Sequence, residues 1–176
     1  HRYIAAEMNK MLGKDAKLIS CHIGNGASLC AIKDGKCVNT SMGFTPLDGL
    51  EMGTRSGILD PAVVLFLMEN ENLSSKEMNT VLNKKSGLAG VSGVSSDMRD
   101  VTQAAKEGNE RAKLALDIFA YRVKSYIGQY AAVMNGETNL GFLGGMAVPA
   151  VVRFGLGYVQ GIADAAEEKN IQVNLW

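Results

Sequence analysis

The fold is decided by residues 18–40, which read LISCHIGNGASLCAIKDGKCVNT. Two short apolar runs, Leu18–His22 and Ser28–Ile32, lie on either side of a glycine-rich turn and have the length of β-strands. Asp34-Gly35 is a two-residue hairpin signal, so Lys36–Thr40 is predicted to return as a third strand. The stretch therefore predicts three consecutive strands near the beginning of the chain.

Outside this stretch the sequence predicts mainly helices. Arg2–Leu12 carries apolar residues on one face and ends at Gly13. Asp60-Pro61 is a helix start, and Ser74 with Glu77 is a capping box. Helices are thus predicted from Asp60, from Ser74 to about Lys85, over 97–107, over 110–134 and near Ala150, with an ordered loop over 41–57 and a fourth strand over Asn139–Leu143. The helix over 110–134 is expected to bury Leu116, Phe119, Val123, Tyr126/Ile127, Tyr130 and Met134. Strands first and helices after predict an α/β domain.

Composition limits the class of partner. The 176 residues include 18 basic and 18 acidic side chains, so the formal net charge is zero. Because nucleic acids and anionic membranes are bound by a basic face, neutrality argues against both partners. The sequence also has no long apolar run and no signal-peptide pattern at its start. Three cysteines without Cys-x-x-Cys spacing predict reduced thiols, no metal site and a cytoplasmic location.

The first loop with chemical potential is His22-Ile-Gly-Asn-Gly26, between two predicted strands. Its glycines allow backbone N–H groups to point into one concavity, which is how many proteins hold phosphate oxygens. Asn25 can donate as well as accept, and His22 at the strand end can donate to an anion. A tight hairpin whose glycines serve only the turn explains the same pattern.

Two further loops carry charged side chains among small residues. Arg55 lies in Met52–Gly57, where its planar guanidinium suits a phosphate or carboxylate and can stabilise charge during phosphoryl transfer. The alternative is a solvated arginine or one that caps a helix. In residues 92–100, Asp97 and Arg99 suit the sugar and base of a nucleotide. A plain N-cap on the next helix explains Asp97 as well.

Together these segments closely resemble the acetate kinase family. The resemblance is carried by long motifs in the family's order: HRYIA (1–5), SCHIGNGASLCAI (20–32), TSMGFTPLDGLEMGTRSGILDPA (40–62), KSGLAGVSGVSSDMRDV (85–101) and GNERAKLALDIFAYRVKSYIG (108–128). It implies an actin-like ATPase (ribonuclease H-like) domain, a mixed sheet flanked by helices. It also implies a cytoplasmic homodimer that uses ATP and Mg²⁺ to phosphorylate the carboxylate of acetate, giving acetyl phosphate and ADP.

The resemblance also implies roles for individual residues. The arginine of the MGTRSG motif stabilises the transition state in the family, so Arg55 is predicted to be catalytic. The HIGNG segment lies along the ATP phosphates and the SSDMR segment contacts the adenosine. The predicted nucleotide-binding residues are therefore His22, Ile23, Gly24, Asn25, Gly26, Asp97, Met98 and Arg99. No residue of the chain is predicted to bind the metal directly.

The family pattern further predicts which part of the enzyme this is. Residues 1–176 are expected to form one domain, equivalent to the C-terminal nucleotide-binding domain of an acetate kinase. His1 matches the last histidine of the family's HGTSH segment, so the N-terminal domain with the substrate pocket is expected to lie outside this chain. A metal-binding glutamate is expected beyond its other end. The tail from about Glu137 departs from the family, and the fragment alone is expected to be inactive.

Two other functions fit the same residues. A propionate kinase of this family shares these loops, and kcat/KM for the two acids distinguishes it from an acetate kinase. A non-catalytic nucleotide-binding or assembly module belongs to a different class. Titration with ATP tests for the latter, since binding without turnover fits an incomplete kinase and absence of binding favours a structural role.

Overall fold

The computed structural model describes residues 1–13, 16–136 and 139–144, and for 139–144 the backbone alone. The chain divides into two compact units, His1–Leu143 and Gly144–Trp176. Only the first unit is described below, and the helix predicted near Ala150 lies outside the described residues. Within the described ranges no helix is long and apolar enough to span a membrane.

The strands form one sheet in the order β3-β2-β1-β4. Their bounds are β1 Leu18–Ile23, β2 Ala27–Lys33, β3 Lys36–Thr40 and β4 Asn139–Gly144. Strands β1 and β2 are antiparallel with His22 opposite Ser28, and β2 and β3 are antiparallel with a bulge between Ala31 and Ile32. Asp34 (φ 51°) and Gly35 (φ 70°) both have positive φ, as a type I′ hairpin turn requires. All four predicted strands are confirmed to within one residue at each end.

Six helices are described, and most begin where the sequence predicts. Their bounds are α1 Arg2–Leu12, α2 Pro61–Asn70, α3 Ser75–Lys84, α4 Gly87–Ser92, α5 Met98–Lys106 and α6 Glu110–Val133. Asp60 Oδ1 accepts a hydrogen bond from the Ala62 N–H at 2.9 Å, and Ser74 forms the full capping box with Glu77. The short helix α4 was not predicted, and residues 41–57 form the expected loop.

The core lies around β1, β2 and α6. Successive residues of β1 and β2 are buried, so both faces of these strands are covered. The predicted stripe on α6 is partly wrong, because Leu116 and Tyr126/Ile127 are only half-buried while Ala112 and Ala115 are fully buried. These alanines are small, and α6 contacts both α4 and α5, so close helix approach buries Cβ groups rather than large side chains.

Helix α2 contributes nothing to this core. It has no buried residue, and Leu65 and Phe66 remain 64% and 62% exposed. The helix is apolar around its whole circumference, so it exposes apolar side chains whichever way it faces.

Candidate functional site

The glycine turn begins at the end of β1 and continues into β2. His22 is exposed and Ile23 is buried, because alternate residues of a strand face opposite sides. The Gly24 N–H donates to the Gly26 carbonyl at 3.0 Å and closes the turn. A Cβ placed on Gly24 would lie 3.6 Å from His22 Nε2, so the imidazole lies over the turn. The turn therefore presents a ring nitrogen of His22 and the backbone of Gly24 on the same side.

The loop that carries Arg55 is held mainly by backbone hydrogen bonds from α4. The Leu88 and Ala89 N–H groups donate to the Met52 and Gly53 carbonyls at 2.9 and 3.0 Å. Gly87 makes this contact possible: its φ is +64°, and a Cβ there would lie 2.1 Å from the Met52 oxygen. The helix that sequence reasoning missed thus positions the loop.

Gly53 is where the three predicted loops meet. Its N–H donates to the Asn25 carbonyl at 3.3 Å. A Cβ on Gly53 would lie 2.5 Å from Asn25 Oδ1 and 3.0 Å from the Ser96 carbonyl oxygen. The glycine turn, the arginine loop and the residue just before the N-cap of α5 are therefore in contact at one residue, although they are far apart in the sequence.

The Arg55 guanidinium lies beside the glycine turn. Its Nη1 atom is 3.8 Å from the position of a Cβ on Gly26, and it lies 3.4 Å from the Pro46 carbonyl oxygen and from Met52 Sδ. Within the described residues no carboxylate lies within ion-pair distance of Arg55. A half-buried, permanently charged group without an acidic partner is suited to an anionic ligand.

A pocket of about 370 Å³ opens at this guanidinium. It is lined by Asn25, Gly26, Thr54, Arg55, Asn79, Asn83 and Lys84. The last three come from α3 and were missed by sequence reasoning, as was Thr54, whose hydroxyl donates to the Asn83 carbonyl at 2.9 Å. Asn79 and Asn83 are one helical turn apart, and this i, i+4 spacing next to a lysine was the available signal. Within the described part of the chain, the lining supplies two cations and no acidic group.

The predicted adenosine residues lie at the start of α5 and do not line this pocket. Asp97 accepts from the Arg99 N–H at 2.8 Å as the N-cap, and from Arg99 Nε at 2.9 Å. These hydrogen bonds from Arg99 lower the pKa of Asp97 to about 2. Met98 is half-buried as the first residue of the helix. The alternative reading of Asp97 as an N-cap is thus confirmed, and a role in nucleotide binding stays a prediction.

Glu51, next to the arginine loop, is a buried acid that sequence reasoning did not single out. It is 4% exposed, and neither carboxylate oxygen has a hydrogen-bond partner among the described residues. Burial raises its pKa to about 7, and the charge of Arg122 opposes part of this effect. Nothing in the sequence marks it, because the flanking Leu50 and Met52 enter the core by tertiary packing.

His1 connects the start of α1 to the strands below the glycine turn. Its Nδ1 and Nε2 atoms lie 3.0 and 2.9 Å from the hydroxyl oxygens of Ser20 and Ser28. Both serines are buried, and Ser28 is opposite His22 in the sheet register. The imidazole therefore satisfies two buried hydroxyls.

The chain is similar to known proteins over most of its length. The model of the acetokinase family matches residues 1–153. The acetate kinase of Caldicellulosiruptor saccharolyticus is 62% identical over 149 residues, which are 83% of this chain and 37% of that protein. The family match extends to residue 153, whereas the sequence motifs predict that the chain departs from the family pattern from about residue 137. The single-domain description and that departure stay predictions.

Two solved structures superpose on this one. The acetate kinase of Porphyromonas gingivalis has a TM-score of 0.77 and 52% identity, covering 80% of this chain and 36% of its own. A propionate kinase from Francisella tularensis has a TM-score of 0.78 and 44% identity, covering 82% and 38%. These similarities confirm the actin-like ATPase fold.

The chain spans little more than a third of the length of these relatives. Which third it represents is not fixed by the matches, so its assignment to the C-terminal domain stays a prediction. The length and identity of the matched segment nevertheless make this chain a member of the acetokinase family.

Proposed function

We propose that this chain supplies the ATP-binding part of an enzyme that transfers the γ-phosphoryl group of ATP to the carboxylate of acetate, giving acetyl phosphate and ADP. The observation that carries the proposal is the Arg55 guanidinium, which lies beside the Gly24–Gly26 turn with no acidic partner among the described residues. An anion site of this kind is compatible with several reactions. Phosphoryl transfer is proposed because the chain belongs to the acetokinase family.

The glycine turn is proposed to hold the phosphates. A side chain at Gly26 would project toward Arg55, so its absence leaves room for an oxygen near the guanidinium. His22 and Asn25 would add donors at either end of the turn. The residues present therefore fit a polyphosphate.

Arg55 is proposed to act in the chemical step. In phosphoryl transfer most of the catalysis comes from positioning and from charges that stabilise the equatorial oxygens. A guanidinium held by its loop backbone against α4 needs little reorganisation to do this. Asn79, Asn83 and Lys84 would bind the remaining oxygens in the same pocket.

Asp97, Met98 and Arg99 are proposed to contact the adenosine. The Asp97 carboxylate is engaged by Arg99, so the planar face of the Arg99 guanidinium is the group proposed to lie against the base. Arg99 is exposed, which leaves that face accessible.

Magnesium would accompany the nucleotide and neutralise phosphate charge. Among the described residues no cluster of three His, Cys, Asp or Glu side chains is placed to hold a metal ion. We therefore propose that the ion is held by phosphate oxygens and by groups outside these ranges. We further propose that this part is the C-terminal domain of the enzyme. The enzyme is proposed to be a cytoplasmic homodimer that has no nucleic-acid or membrane partner.

A propionate kinase is the second candidate, favoured by the 44% identity to the Francisella tularensis propionate kinase. The residues described around the pocket at Arg55 are polar, and none of them distinguishes the two acyl groups. Comparison of kcat/KM for acetate and propionate in the whole protein separates the candidates. A higher value for propionate would replace acetate as the substrate.

The phosphoryl-transfer proposal itself is tested with the whole protein that contains this chain. We expect acetyl phosphate to form from ATP, acetate and Mg²⁺, and ATP to form in the reverse reaction. ATP binding without transfer to either acid would favour the non-catalytic nucleotide-binding module. Absence of ATP binding would favour a purely structural role and contradict the proposal.

A further inference from the structure

Two cysteine side chains lie together on neighbouring strands, and neither lines the pocket at Arg55. Cys30 is on β2 and Cys37 is on β3, and their Sγ atoms are 3.1 Å apart. Both cysteines are reduced. A disulfide bond is about 2.05 Å long, so the sulfurs need to approach by only about 1 Å to reach bonding distance.

The register of the hairpin explains this proximity. Ile32 is opposite Cys37, and Cys30 is two residues before Ile32, so both cysteines lie on the same face of the sheet. They are diagonal neighbours, which are normally 7–8 Å apart at Cα. The bulge between Ala31 and Ile32 falls between them, and a bulge increases the local twist of a strand pair.

The two thiols differ in exposure. Cys37 is exposed, whereas Cys30 is 3% exposed and packs with Ala5, Leu18 and Ile32. Burial and the hydrogen bond to Cys37 raise the pKa of Cys30 to about 12. An oxidant in solution therefore reaches Cys37 first, and Cys30 is held behind it as a protonated partner.

We propose that Cys30 and Cys37 form a reversible disulfide when the protein meets a peroxide, with Cys37 as the attacking thiol and Cys30 as the resolving thiol. Such a bond would be a redox modification and not part of a permanent disulfide framework, because disulfides in a reducing compartment are usually transient. Nothing in the proposed kinase reaction requires it.

The chemistry balances in two steps. The Cys37 thiolate attacks one peroxide oxygen, the S–O bond forms, the O–O bond breaks, and the departing hydroxide takes up a proton to become water. The sulfur is oxidised by two electrons to a sulfenic acid and the peroxide is reduced. Cys30 then attacks this sulfur, the S–S bond forms, and the sulfenic oxygen leaves with the Cys30 proton as a second water.

Peptide mapping of peroxide-treated protein tests the proposal directly. Cleavage after lysine and arginine places Cys37 on peptide 37–55, and places Cys21 and Cys30 on peptide 18–33. We expect these two peptides to be joined after hydrogen peroxide treatment and separated again by dithiothreitol. Fragmentation of the joined peptides should place the bond on Cys30. A bond to Cys21, or disulfide between two copies of peptide 37–55, would overturn the assignment.

Cysteine variants provide the matched controls. Cys21→Ser should leave the cross-link unchanged, whereas Cys30→Ser should leave Cys37 as a sulfenic acid that a dimedone reagent captures. In the unsubstituted protein, dimedone capture at Cys37 without cross-linking would contradict the role of Cys30. This measurement is made on the unsubstituted protein, so it does not depend on whether a variant folds. Complete resistance of both thiols to peroxide would also refute the proposal.

Discussion

Glu51 enters the interior between two buried neighbours, Leu50 and Met52, and its carboxylate is buried with them. Its pKa of about 7 lies above the value of 4.5 expected in the unfolded chain. The folded state therefore binds more protons than the unfolded state between these values. Stability contributed by this group is present at low pH and is lost as the pH rises through this window.

The first prediction concerns the pH dependence that Glu51 creates. Between about pH 5 and pH 8 we expect the free energy of unfolding of the unsubstituted protein to fall relative to that of Glu51→Gln. The difference should approach roughly 3 kcal/mol, from the size of the pKa shift. Urea unfolding at both pH values measures it, and parallel pH profiles for the two proteins would show that Glu51 is solvated.

The second prediction separates the two roles of Asp97. Asp97→Ala removes the N-cap of α5 and should cost about 1 kcal/mol of stability, whereas Asp97→Asn keeps a capping oxygen and should cost less. If the Asp97–Arg99 pair orients the nucleotide, both variants should weaken ATP binding with a smaller effect on kcat. Calorimetry that gives the original ATP affinity for both variants would leave Asp97 as a cap only.

The pKa of Asp97, lowered from 3.8 to about 2, gives this residue the opposite pH dependence to Glu51. Its contribution to stability is present above about pH 4 and is lost as the pH falls toward 2. The Asp97→Asn variant should therefore differ from the unsubstituted protein less at pH 2 than at pH 6. Thermal unfolding at these two pH values measures the difference.

At the scale of elements, α4 determines where the arginine loop lies. Gly87 begins this helix with a positive φ, and its missing Cβ admits the Met52 carbonyl. Gly87→Ala should destabilise the protein by about 1–3 kcal/mol, because the new methyl group meets backbone atoms in a strained conformation. It should also reduce kcat, because the Arg55 loop must move.

The matched control for Gly87 is Gly128, in the interior of α6. A Cβ at Gly128 would meet nothing within 4 Å, so Gly128→Ala should stabilise the protein by about 0.5–1 kcal/mol. Chemical unfolding and kcat measured for both variants test the comparison. Equal effects of the two substitutions would mean that α4 does not support the loop.

Elements with local signals were predictable, and α4 was not. The capping box at Ser74, the N-cap at Asp60 and the Asp34-Gly35 turn involve atoms close in sequence, so local chemistry defines them. Helix α4 begins at a glycine with positive φ, and its first N–H groups bond to a loop more than thirty residues earlier. Only the tertiary fold supplies those partners.

At the scale of the whole molecule, part of the candidate site was predictable. Sequence motifs brought Asn25, Gly26 and Arg55 into one prediction, and the structure places them around one pocket. The contribution of α3 was missed, because Asn79, Asn83 and Lys84 reach the pocket only through the packing of α3 against the arginine loop. No local pattern encodes that packing.

A phosphoryl-transfer enzyme must exclude water and position the acceptor, and the domain expected to carry the substrate pocket lies outside this chain. We therefore expect the isolated 176-residue chain to bind ATP and ADP without forming acetyl phosphate. Calorimetry and a coupled assay on the same preparation test this. Turnover by the chain alone would show that the acceptor site also lies within these residues.

Arg55 is proposed to stabilise the transition state from the side of the site that holds the ATP phosphates. This role is tested most directly by kcat and ATP affinity of Arg55→Ala in the whole protein, with Arg2→Ala on the exposed surface of α1 as control. We expect a loss of roughly 100-fold or more in kcat, a much smaller loss of ATP affinity, and no effect of the control. An Arg55→Ala enzyme with unchanged kcat would contradict it.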